Sequence, residues 1–204
     1  MIDLASHIDM LSDDDINDTS ICLLQRCGSA RDLLVYLDIP PITERLVDVI
    51  KDKIPQLPDI TSLTVLVHPM CQRHSFGDGV AGLLTRFNNL RYLRLQLEEV
   101  PGVTKKDEFW SKEDGRDSAS FACDHQDHWE SSGMSFVHLQ KAKFKGLTGT
   151  DCELRFLQTV LASATDIQKV TISFNAGYCL DGRVDDFQLK LLAHGTWTAC
   201  NDDV

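Results

Sequence analysis

Asn89-Leu90-Arg91-Tyr92-Leu93-Arg94-Leu95-Gln96-Leu97 places apolar side chains at 90, 93, 95 and 97. The same spacing occurs upstream as Ile60, Leu63, Val65 and Val67, and before that as Ala30, Leu33, Val35 and Leu37. Downstream it returns as Leu139, Ala142, Phe144 and Gly146, then as Ile167, Val170, Ile172 and Phe174. Successive units lie 30, 30, 49 and 28 residues apart. The last three apolar positions of each unit alternate, which is the period of a strand with one buried face. Pro40, Pro69 and Pro101 follow the first three units at nearly the same beat, and no proline follows 101.

A recurrent L-x-x-L-x-L-x-L core is the signature of leucine-rich repeats, in which each unit buries its apolar side only against its neighbours. The expected fold is therefore α/β: a short leucine-rich-repeat solenoid over 1–204, with parallel strands on one face and helices on the other. Five strands are expected, centred near 35, 65, 95, 144 and 172. Helices are expected near 44–54, where Leu46, Ile50 and Ile54 share one side; near 79–87, with Val80, Leu83, Leu84 and Phe87; and near 152–163. Thr150-x-x-Glu153 reads as a capping box at the start of the third, which carries Leu154, Leu157 and Leu161 on one face. Residues 1–29 read as an N-terminal helical cap, with Met1, Leu4, Ile8 and Leu11 at helical spacing and a second start at Ser12-Asp13-Asp14-Asp15. Residues 98–135 interrupt the beat as an inserted loop containing Trp110 and Trp129. Residues 176–204 close the stack, with Val184, Phe187 and Leu191 on a last helix.

With 204 residues, 43% hydrophobic and 25% charged, the chain has enough apolar material for a substantial core in one domain. A net charge of -11 argues against nucleic acid, whose phosphates need a surplus of Lys and Arg, and against anionic membranes. The seven cysteines form no C-x-x-C pair, which reads as reduced, packing cysteines in the cytoplasm or nucleus. No window approaches the roughly 20 apolar residues of a membrane span.

Three stretches carry a resemblance beyond spacing. They are Cys123-Asp124-His125-Gln126-Asp127-His128-Trp129, the run from Ser135 through Gly146-Leu147-Thr148-Gly149, and Glu153-Leu154-Arg155-Phe156-Leu157. Together they resemble the C-terminal half of plant F-box proteins with leucine-rich repeats and an FBD-like region. There a Cys-rich loop ends in Trp, a strand leads to a Gly-x-x-Gly turn, and an acidic helix precedes a closing strand. Arg73-His74-Ser75-Phe76-Gly77 resembles the family's helix entry, so the likeness spans roughly 60–175. It implies an adaptor that recruits a protein substrate to a cullin-type ubiquitin ligase. Phe121-Ala122-Cys123 stands where a second cysteine is expected, and nothing before Ala30 resembles the F-box that docks the ligase. A Skp-type adaptor is therefore not expected to bind this chain.

The outward strand positions are the expected partner-binding surface. Tyr36, Leu66, Tyr92 and Arg94 give way to Lys143, Lys145 and Lys169, so the face runs from apolar to basic. An unidentified protein with an apolar anchor and an acidic flank fits that gradient. No catalytic group, cofactor or metal is expected. The competing readings are a nucleotide-binding enzyme that uses the G-x-G-x-x-G stretch Gly77–Gly82, and a truncated remnant that binds nothing. Cys123, His125 and His128, with His138, have metal-capable side chains, but no second short-spaced pair completes a tetrahedral site.

Overall fold

Seven strands form one sheet in which order along the sheet equals order along the chain, and every neighbouring pair is parallel. This computed structural model describes residues 2–4, 13–26, 29–39, 50, 52–69, 76–98, 133–175 and 199–200. The strands are β1 (Ile2–Leu4), β2 (Asp32–Ile39), β3 (Ser62–Pro69), β4 (Tyr92–Leu97), β5 (Lys141–Leu147), β6 (Lys169–Phe174) and β7 (Ala199–Cys200). Three helices are described: α1 (Asp13–Arg26), α2 (Phe76–Leu84) and α3 (Asp151–Ala162). Ile50, Asp52 and Lys53 are also helical, within the stretch where the first crossover helix is expected.

Register reproduces the sequence period. Leu33 pairs with Leu63 and Leu63 with Leu93; Leu93 pairs with Ala142 and Ala142 with Val170. Leu33, Val35 and Leu37 of β2, Leu63, Val65 and Val67 of β3 and Leu93, Leu95 and Leu97 of β4 are buried and join Phe144 and Ile172 in one continuous core. The structure adds an apolar slot that the sequence reading passed over. Leu57, Phe87, Phe136 and Ala164 recur at the same intervals, are all buried, and Phe136 and Ala164 form an isolated parallel bridge.

A second repeated device lies just ahead of each strand. The carbonyl of Arg31 accepts from the N–H groups of Thr61 and Ser62 at 2.9 and 3.0 Å, and that of Thr61 from Arg91 and Tyr92 at 2.8 and 3.0 Å. The Arg91 carbonyl accepts from Gln140 and Lys141, and the Gln140 carbonyl from Gln168 and Lys169. Each unit thus satisfies two backbone donors of the next through one carbonyl, which holds the register without any particular side chain.

Four details differ from expectation. Ile2–Leu4 are a strand rather than helix, paired with Val35 to Leu37 of β2, because a sheet edge offers unpaired backbone groups that three residues can satisfy. With β7 at the opposite edge, the sheet has seven strands rather than five. Helix α2 begins at Phe76 and ends at Leu84, three residues early at each end, and Phe87 is buried beyond it. In the fourth unit the inward slot belongs to Leu147, not Gly146. Lys145 pairs with Ser173 and Leu147 with Phe174, so Gly146 is the extra residue of a bulge. Its φ of 77° and the Leu97 carbonyl, which any Cβ would overlap, explain why glycine occupies it.

Helix α3 is capped as expected. Thr150 Oγ1 accepts from the Glu153 N–H, and the Glu153 carboxylate accepts from the Thr150 N–H. The rings of Phe76 and Phe156 meet in a T-shaped arrangement, 5.2 Å between centroids, and join α2 to α3 within the core. Cys152, buried at the start of α3, is disulfide-bonded, whereas the exposed Cys22 is free. The Cys152 disulfide departs from the expectation of reduced cysteines. No helix among the described residues is long and apolar enough to cross a membrane. Most of the 98–135 insertion, with Cys123, His125, His128, Trp110 and Trp129, and the expected helix through Val184, Phe187 and Leu191 lie outside the described residues.

Candidate functional site

Parallel sheets are commonly covered on both faces, and their strands then read as continuous apolar runs. Here β2, β3 and β4 alternate buried with half-exposed residues, so the sheet has one core face and one open face. Register sorts the open face into rows across the strands. Asp32, Ser62, Tyr92, Lys141 and Lys169 form the first. Leu34, Thr64, Arg94, Lys143 and Thr171 form the second, and Tyr36, Leu66, Gln96, Lys145 and Ser173 the third. Asp38 pairs with His68 in a fourth.

The structure therefore brings all seven expected partner-binding residues onto one surface. Tyr36 and Leu66 are register neighbours, and Arg94 and Lys143 are another such pair. Tyr92 lies two residues before Arg94 and directly beside Lys141, and Lys169 is exposed at the basic end. Tyr36, Leu66, Tyr92, Arg94, Lys143 and Lys145 are all half-buried. Thr171 is the exception, being buried at 5% exposure where β7 pairs alongside it.

Arg94 is the best-held member. Its Nη2 donates to Gln96 Oε1 at 2.7 Å, while its Nε is buried without an acceptor. The guanidinium is thus oriented by its own strand but not neutralised. Lys141, Lys145 and Lys169 meet no carboxylate among the described residues, whereas Lys143 has a partner of its own. The sequence reading missed the Gln96 clamp, although residues two apart on a strand share a face. It also missed the contact of His68 Nδ1 with Asp38 Oδ1 at 3.3 Å at the far end of the apolar strands.

Gly77, Gly79 and Gly82 are buried within α2, which begins at Phe76, and residues 70–75 ahead of it lie outside the described residues. His138 is exposed beside Leu139, and no group of three metal-capable side chains occurs among the described residues.

A cleft lies off this face, at the rim where the strands begin. It has a volume of about 690 Å³ and is lined by Ser29, Arg31, Asp59, Thr61, Asn89, Arg91 and His138, with Pro58 at its wall. These are equivalent polar positions of successive units, so the signal was present in the same period that revealed the leucines. The sequence reading compares the inward and outward positions of the strands but not these positions ahead of them. No family model matches the chain, and neither does any curated protein or solved structure.

Proposed function

We propose that this chain is a non-enzymatic protein-interaction module, a short leucine-rich-repeat solenoid akin to the substrate-recruiting half of a plant F-box adaptor, and that its open strand face is the binding surface. The observation that carries the reading is a parallel sheet with one face left open, graded from Tyr36 and Leu66 through Tyr92 and Arg94 to Lys145 and Lys169. The constant register interval and the recurrent buried slots support the repeat architecture. Tyr and Arg are the side chains that most often anchor interfaces, and a pre-oriented, unneutralised guanidinium suits an incoming carboxylate. The lysines lie on an otherwise acidic molecule and steer a partner of opposite charge.

The test is affinity capture from a plant extract by the wild-type chain and by the Tyr92→Ala/Arg94→Glu double variant. Proteins carrying acidic segments should be retained by the first and lost by the second, while Asp52→Ala, at an exposed helical position away from the sheet face, should leave them bound. Equal retention by all three chains would place the binding surface elsewhere.

A further inference from the structure

We propose that the cleft at the strand-entry rim binds the phosphomonoester dianion of a small molecule. Arg31 and Arg91 occupy the same slot two units apart, immediately ahead of β2 and β4, with Thr61 in that slot between them. Neighbouring strands are about 4.8 Å apart, so the two arginine backbones are separated by about 10 Å, a gap that two long side chains span from either side.

The structural work of this slot is done by backbone carbonyls, which any residue supplies. The side chains are therefore free of that task. Both arginines are exposed, and neither guanidinium has a hydrogen-bond or ion-pair partner among the described residues. Two unpaired guanidinium groups facing one cleft run against a net charge of -11. Asp59 is the one carboxylate in the lining, so the cleft keeps a positive excess.

The chemistry of the lining selects the ligand. Each guanidinium presents parallel donors that match an oxyanion in two-pronged fashion, and two of them in one cleft suit the three terminal oxygens of a phosphomonoester better than the two of a carboxylate. Ser29 adds a hydroxyl. Asn89 Nδ2 already donates to the Pro58 carbonyl at 2.9 Å, which leaves its Oδ1 to accept, as the Asp59 carboxylate also can. Acceptors beside an anion site favour a phosphate whose carrier bears hydroxyl groups. A volume of about 690 Å³ holds a small molecule, in the range of roughly 300–1,000 Å³ usual for such pockets. The inference is independent of the strand face and stands or falls apart from it.

Isothermal titration calorimetry on the full chain tests it, with glycerol 3-phosphate, inorganic phosphate and sodium chloride at matched ionic strength. Glycerol 3-phosphate is expected to bind one to one, more tightly than inorganic phosphate, with a dissociation constant below about 1 mM. Arg31→Ala with Arg91→Ala should weaken it at least about tenfold at an unchanged melting temperature, because both side chains are exposed. Arg91→Lys should weaken it several-fold, since the charge stays but the fork is lost, and Asp59→Asn should tighten it by removing a repelling charge. Binding no tighter than chloride, equal affinity for the two phosphates, or an affinity unchanged in both arginine variants would each overturn the proposal.

Discussion

Gly146 and Glu153 show how single residues are constrained by their neighbours rather than by their own propensities. A side chain at 146 would require a left-handed φ and would collide with the Leu97 backbone, which belongs to a different strand and cannot retreat without breaking β4–β5 pairing. Gly146→Ala should therefore destabilise the chain by more than about 2 kcal/mol, as read by chemical denaturation. Glu153 is 1% exposed, and its carboxylate accepts from the N–H groups of Thr148, Gly149 and Thr150 and from the Thr148 hydroxyl. Burial raises its pKa above the ordinary 4.5, against the opposing pull of Thr150, Thr148 and Gly149. The folded chain then holds a proton that the unfolded chain has released, so this contribution to stability is complete below pH 4.5 and is lost as pH rises through the raised value. The melting-temperature gap between wild type and Glu153→Gln should shrink as pH is raised from 4 toward 7. A gap that widens over that range would mean that the donors outweigh burial.

At the scale of elements, helices and strands here owe their places to different forces. Helix α3 carries its own start signal, and Thr150→Ala removes the acceptor for the Glu153 N–H. About 1 kcal/mol of stability should be lost in thermal melts, with far-ultraviolet helicity retained because Leu154, Leu157 and Leu161 still anchor the helix in the core. Strand β4 is held on both sides by neighbours and buries Leu93, Leu95 and Leu97. Leu95→Asp places an unpaired carboxylate at a fully enclosed position in the middle of the sheet. It should cost about 4 kcal/mol or more and leave little folded protein, whereas Gln96→Asp on the open face should be tolerated. Comparable melting temperatures for the two variants would contradict the assigned faces.

For the whole molecule, the proposed binding role divides the open face into an anchoring side and a steering side. Tyr92→Ala should weaken partner binding mainly through faster dissociation, because it deletes contact area, while Lys143→Glu with Lys145→Glu should slow association and flatten its dependence on salt. Surface plasmon resonance over a range of salt concentrations separates the two. An affinity indifferent to both sets of changes would exclude the strand face as the site.

The leucine spacing by itself determined that strands near 35, 65, 95, 144 and 172 pair in parallel and, Gly146 apart, which residues of each turn inward, because a period of two on a strand lets only one register bury the recurrent apolar slots. The capping box at Thr150 was equally legible, since cap chemistry is local. The edge strands β1 and β7 were decided by tertiary structure alone. They are two or three residues long, too short to display a period, and are specified by the free backbone groups of β2 and β6. The bulge that exchanges Gly146 for Leu147 also depends on contact with another strand. So does the entry-rim cleft, whose polar residues lie about thirty positions apart in the chain and become neighbours only when the units stack at the distance between strands.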